Sequence, residues 1–234
     1  CVFMRLRSNT GAGQPVALIM TRMATALAKM RPRRVLRAGV TEAEMTLDVC
    51  RRAEALLSNC CEVVLTREKD CFVSLSARPT LANKLKAAAF VSYHFNASSS
   101  SRTALSFEGF TTPGQNNSDQ LCQAILDAHG KLLPEQSLRA DRSDQDDDKE
   151  ANFAVIRGTH CPSCLIEGEF IHTMHGAELI KNDNKRQLMA LGVALGVKKF
   201  LGVGYSSDQD KKDFDFLASI RVIQKELEAI KKNL

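Results

Sequence analysis

One histidine, His94, stands near the end of a strongly apolar run that extends over residues 87–96. Because successive side chains of a strand alternate between its two faces, Ser92, His94 and Asn96 share one face. Open α/β sheets bind ligands beyond the ends of their strands, and imidazole is a common metal ligand and general base. The run therefore predicts either a reactive histidine or a hydrogen-bonded structural one.

Two glutamates in other segments have side chains suited to the same chemistry. Thr41 to Glu44 has the form of a capping box, in which Glu44 turns back to the Thr41 amide and leaves Glu42 available at the start of a helix. Glu167 follows the apolar residues 164–166, where an unpaired buried charge costs several kcal/mol. The structural alternatives are attraction of Glu42 to the helix dipole and a buried salt bridge of Glu167.

Composition excludes several classes of protein. The 234 residues are 44% hydrophobic and 25% charged, enough for one buried domain with an appendage. No apolar stretch reaches the roughly 18 residues that cross a bilayer, and the first residues are too charged for a signal-peptide core.

A basic cluster at residues 31–37 indicates a solvated face or an anionic partner. With no tryptophan and two tyrosines, we expect no nucleic-acid partner.

Two other groups of candidate metal ligands also have ordinary structural interpretations. Cys161 and Cys164 form a CxxC, but no second pair completes a Cys₄ zinc site, so we expect the eight cysteines to be mostly reduced thiols. The carboxylate run Asp144 to Asp148 could bind a hard cation such as Ca²⁺. A solvated loop is the favoured interpretation, because calcium loops space their ligands around a glycine at the bend.

Alternating patterns predict the elements that position these residues. Helices are predicted over 42–58, 76–85, 118–132 and 184–200, and strands over 62–66, 88–95, 105–110, 153–157 and 164–166. Residues 17–30 are rich in helix formers but have glycine and proline at both flanks. This order predicts an α/β fold with a single twisted, mostly parallel sheet flanked by helices on both faces.

The last residues differ from the rest of the chain. Residues 202–234 read as a polar linker followed by an amphipathic tail helix with an apolar seam. That helix could pair with a second chain or dock on its own domain. We therefore divide the chain into a domain over 1–201, whose first 38 residues show little pattern, and this tail.

Four segments resemble the zinc-dependent N-acetylmuramoyl-L-alanine amidases of bacteria and their phages. They are residues 39–47, 63–70, 91–97 and 162–170, and their order and spacing extend the resemblance over about 39–201. Those enzymes cleave the amide bond between muramic acid and the stem peptide of peptidoglycan.

The resemblance implies a role for each residue at a matching position. Glu42 and His94 correspond to zinc ligands, and Glu167 corresponds to the general base. It further implies a zinc cofactor, peptidoglycan as the partner, and action at the bacterial cell wall as an endolysin or autolysin.

The sequence departs from this family at one ligand. The family has a further zinc-binding histidine in a Gly-His-Gly motif after its first strand, whereas no histidine precedes His94 here. His172 and His175 are the substitutes that follow the last predicted site strand. His160 lies seven residues before Glu167, about 23 Å in an extended chain, which excludes it unless the chain folds back. The alternative function is a catalytically inactive module of the same fold that binds wall polymer or a protein partner.

Overall fold

The computed structural model describes residues 17–20, 41–97 and 105–203, the first of these ranges by its backbone alone. Its elements are β1 (Ala17–Met20), α1 (Glu42–Leu57), β2 (Glu62–Leu65), α2 (Ala77–Lys84), β3 (Phe90–Asn96), β4 (Ser106–Thr111), α3 (Asn117–Leu132), β5 (Ser137–Leu138), β6 (Lys149–Glu150), α4 (Ala154–Arg157), β7 (Ser163–Phe170), α5 (Met174–Lys181) and α6 (Asp183–Leu201). The predicted tail helix and the basic cluster lie outside the described residues.

The strands form a mostly parallel arrangement. β1 pairs with β2 and lies beside β3, and the remaining strands follow the order β3, β7, β4, β5, with β6 also on β4. Only the β4 and β7 pair is antiparallel among the described strands. This mixed sheet confirms the predicted α/β class.

Helices cover both faces of the sheet. Alternate residues of β3 belong to the two different cores on these faces. Val91 and Tyr93 belong to the large core under α1, α3 and α6. Phe90 belongs to a smaller core together with residues of α2 and α4. Because α2 has eight residues and α4 has four, the second face is only partly covered. His94 lies on that face, where the sheet has room for a site.

Several predicted elements differ from the observed ones. The predicted strand at 153–157 is wrong, because the short α4 forms there and buries Val155 and Ile156. A short apolar run fits a buried strand and a buried helical turn equally well. Within the helix-forming residues 17–30, β1 pairs with β2. The sequence also gave no sign of α5, whose cap is Thr173.

Two further findings apply to the described residues only, one on membrane-spanning helices and one on the cysteines. No helix among them is long and apolar enough to cross a membrane. The seven cysteines among them are free thiols.

Helices α6 and α3 pack closely in the larger core. A Cβ added to Gly196 would lie 2.5 Å from the Ile125 Cα and 2.6 Å from its backbone nitrogen. Backbone atoms cannot move aside as a flexible side chain can, so this position requires glycine.

We expect Gly196→Ala to lower the free energy of unfolding by about 1 to 3 kcal/mol, since overpacking would separate the two helices. Urea denaturation measures the change. Gly192→Ala is the matched control on the same helix, because its Cβ would lie 3.1 Å from the His129 Cα and the neighbour need give only slightly. Equal losses for both variants would contradict this account of the contact.

Candidate active site

The start of α1 fixes the position of Glu42. The Glu44 carboxylate accepts hydrogen bonds from the Thr41 amide at 2.8 Å and from the Thr41 hydroxyl at 2.9 Å. Arg67 donates to the Ala43 carbonyl and holds the same turn to the strand end. The predicted capping box is therefore present, with Glu44 in it. Glu42 is left to point elsewhere, and only 7% of its surface is exposed.

His94 meets Glu42 inside the protein. It is 1% exposed, and its Nδ1 lies 3.5 Å from the Glu42 Oε1. Its other ring nitrogen, Nε2, shares a hydrogen bond of 2.8 Å with the Ser92 hydroxyl, which fixes the ring orientation. The predicted alternation along β3 placed Ser92 and His94 on one face, as observed.

The separation of these two atoms suits a shared metal ion. Two atoms that bind one tetrahedral zinc ion at about 2.1 Å lie about 3.4 Å apart. A carboxylate oxygen and an imidazole nitrogen are both ordinary zinc ligands. Glu42 and His94 therefore fit as two members of a zinc site.

Glu167 lies on the strand next to His94. The two residues are paired in the parallel register of β3 and β7, so their side chains leave the same face of the sheet. Glu167 is also the one residue of β7 that is partly exposed, whereas its neighbours are buried. The structure thus brings together all three residues that the sequence singled out.

Close packing behind Glu167 fixes its backbone. A Cβ added to Gly168 would lie 1.9 Å from the Tyr93 hydroxyl oxygen and 2.6 Å from the ring. Tyr93 is completely buried and makes an edge contact with Phe95. The ring occupies the place where another residue would have a side chain, so β7 can approach only with glycine there.

A charged cluster on the other side of Glu167 was missed from the sequence. Glu108 is paired with Glu167 across β4 and β7, and it accepts from Arg139 at 2.6 Å and from Lys149 at 2.5 Å. Asn96 donates to its other oxygen. The two cations neutralise Glu108, so a second carboxylate lies beside Glu167 without adding net negative charge.

Among the described residues, Glu42 and His94 are the two candidate zinc ligands that lie close to each other at this site. His172 follows β7 and its ring lies 5.7 Å from that of Phe170, while His175 is exposed on α5. No group of three or more His, Cys, Asp or Glu ligand atoms within 4.8 Å includes Glu42 and His94 in ranges 41–97 and 105–203. Neither substitute histidine is therefore joined to them at ligand distance.

A buried polar network supports β7 from the α3 side. His129 is fully buried, and its Nε2 is 2.7 Å from the Gln136 Oε1. Gln136 donates in turn to the Gly168 carbonyl at 2.7 Å and to Glu169 at 2.9 Å. This network connects His129 of α3 to the residue after Glu167.

Burial of His129 makes the stability of the fold depend on pH, because it lowers the pKa of this histidine from 6.5 to about 4. The unfolded chain binds a proton near pH 6.5 while the folded chain does not, so stability falls as the pH drops below that value. Between pH 7 and pH 5 this one residue should lower the free energy of unfolding by about 2 kcal/mol.

Urea denaturation at the two pH values tests this expectation. His129→Gln keeps a polar side chain but cannot take up the proton, so its stability should fall less between pH 7 and pH 5 than that of the unmodified chain. The same pH dependence in both proteins would show that His129 does not cause the loss.

Most of the chain matches a known protein family. The family described as N-acetylmuramoyl-L-alanine amidase matches residues 30–199. The chain belongs to this family. The match confirms the resemblance drawn from the four sequence segments, and it covers every element from α1 to nearly the end of α6.

Two curated relatives show the level of similarity. The endolysin of Bacillus phage SPP1 is 29% identical over 167 residues, which are 70% of this chain and 60% of that protein. The amidase CwlM of Bacillus licheniformis is 31% identical over 164 residues, 69% of this chain and 60% of that protein. The chain thus spans about 60% of the length of these relatives.

Solved structures of amidases have the same fold. An N-acetylmuramoyl-L-alanine amidase of Clostridium difficile 630 superposes with a TM-score of 0.68 at 23% identity, covering 81% of this chain and 98% of that one. The catalytic domain of CwlV from Bacillus (Paenibacillus) polymyxa gives 0.65 at 25% identity, covering 80% and 98%. Nearly the whole of each structure matches the present fold.

Proposed function

We propose that the chain is a zinc-dependent peptidoglycan hydrolase that cleaves the amide bond between N-acetylmuramic acid and the L-alanine of the stem peptide. The observation that carries this proposal is the 3.5 Å approach of Glu42 and His94 beside Glu167. Membership in the amidase family supports it. Such a substrate implies action at the bacterial cell wall.

Glu42 and His94 would hold the zinc ion. When bound, zinc polarises a scissile carbonyl and lowers the pKa of a water molecule to about 7. The capping box keeps Glu42 at the start of α1, and the Ser92 hydroxyl keeps the His94 ring in its orientation. Both ligands are buried, which excludes bulk water from the metal side of the site.

Glu167 would act as the general base. It takes the proton from the attacking water and later returns it to the nitrogen of the leaving L-alanine. Its partly exposed position lets a substrate reach it from solvent. Arg139 and Lys149 offset the charge of Glu108, the carboxylate paired with Glu167 across the strands.

A catalytic zinc site commonly has three protein ligands, and the third is a separate part of the proposal. His172 and His175 are its candidates, because they follow β7 at the edge of the sheet where His94 lies. Movement of either side chain toward Glu42 on metal binding would complete the set.

Replacement of the base should separate catalysis from metal binding. We expect Glu167→Gln to reduce release of stem peptides from purified peptidoglycan by about 10² to 10⁴-fold, the usual contribution of general base catalysis. The zinc content of the purified protein, measured by elemental analysis, should stay that of the unmodified chain. Undiminished peptide release would remove Glu167 from the mechanism.

Two glutamates of α1 provide a matched pair for the metal. Glu42→Gln should lower the zinc content together with the activity, because an amide is a poor zinc ligand. Glu44→Ala should keep the zinc and lose about 1 kcal/mol of stability, since it removes one of the two side chains of the capping box. Chemical denaturation and elemental analysis of both variants measure these outcomes.

The inactive wall-binding module predicts a different result. The unmodified chain would bind no stoichiometric zinc, release no peptide, and still sediment with peptidoglycan. That combination would replace the hydrolase proposal.

A further inference from the structure

Three carboxylates meet at a second place, between the start of α3 and the loop before β6. Oxygens of Asp119, Asp146 and Asp148 all lie within 4.8 Å of one another. Asp119 belongs to the first turn of α3, whereas the other two belong to the loop before β6. Asp148 is 2% exposed. The cluster therefore joins a helix start and a loop inside the protein.

Each loop carboxylate has one oxygen with a donor and one without a donor among the described residues. Asp148 Oδ2 accepts from the Thr111 hydroxyl at 2.6 Å, and Asp146 Oδ2 accepts from Gln115 at 2.9 Å. The Oδ1 atoms of both residues are buried and have no hydrogen-bond partner among the described residues. A buried polar atom without a partner is rare in native proteins and often marks the place of an ion.

The charges of the cluster are also uncompensated. The adjacent Asp147 forms an ion pair of 2.8 Å with Arg142, but in the described part of the chain no lysine or arginine pairs with the three clustered residues. Burial and the neighbouring carboxylates raise the pKa of Asp148 to about 7. Removal of these groups from water is costly unless a positive charge joins them.

We propose that Asp119, Asp146 and Asp148 bind a hard divalent cation of the Ca²⁺ type. Three carboxylates offer up to six oxygens, and Ca²⁺ accepts six to eight in a flexible arrangement. Mg²⁺ requires nearly ideal octahedral geometry and keeps several waters, so it should bind more weakly. A calcium-binding loop with a glycine at its bend is not required at this site, because one of the three carboxylates, Asp119, comes from a helix and not from the loop.

The bound cation would tie the loop to the sheet beside the candidate active site. Lys149 directly follows Asp148 and contacts Glu108, the residue paired with Glu167. Thr111 lies three residues along β4 from Glu108. The cation would therefore hold the segment that supplies one of the two charges around Glu108.

Calorimetric titration of the chelator-stripped full chain with CaCl₂ tests the site directly. We expect one Ca²⁺ per chain, weaker binding of MgCl₂, and a melting temperature that rises with Ca²⁺ concentration. Both measurements report binding of the added ion itself, so the result does not depend on hydrolytic activity. Absence of saturable Ca²⁺ binding up to millimolar concentrations would overturn the proposal.

Neutral amides of the same shape locate the ion. Asp148→Asn and Asp146→Asn should each weaken Ca²⁺ binding at least tenfold, while Asp141→Asn, an exposed position of the same loop, should change it less than twofold. Without Ca²⁺, Asp148→Asn should melt at or above the temperature of the unmodified chain, because a buried charge is gone. This result also shows that the variant folds. Equal Ca²⁺ affinity in all four proteins would place the ion elsewhere and refute the assignment.

Discussion

The parallel pairing of β3 with β7 is the constraint on which the rest of the structure depends. It places His94 and Glu167 opposite each other although 73 residues separate them in the chain. Every other site residue is then positioned against this pair. Glu42 comes from the start of α1, and Glu108 comes from the antiparallel neighbour of β7.

Local features of this arrangement were predictable from the sequence. The capping box needs only Thr41 and Glu44, three residues apart, and it correctly separated the role of Glu44 from that of Glu42. Alternation along β3 needs no partner strand, so the face of His94 was also predictable. The proposed chemistry of these residues came from a family resemblance, since neither a cap nor a strand specifies zinc.

Contacts between distant segments were not predictable in the same way. Arg139 and Lys149 meet Glu108 across 31 and 41 residues, and neither position has a local pattern that marks it. The acidic run 144–148 looked like a solvated loop because its partner Asp119 lies on a helix far from it in sequence. Burial of a carboxylate depends on the elements that pack over it, and these cannot be identified from the composition of the loop.

The irregular step in β7 gives two glutamates different surroundings. Glu167 and Glu169 are two residues apart and would share a face in a regular strand. The pairing shifts after His94, so that Asn96 lies opposite Phe170 and Glu169 turns toward Gln136. The register shift, rather than residue identity, thus leaves Glu167 partly exposed and Glu169 buried. With regular alternation along this strand, Glu169 would lie on the face of Glu167 and add a further carboxylate there.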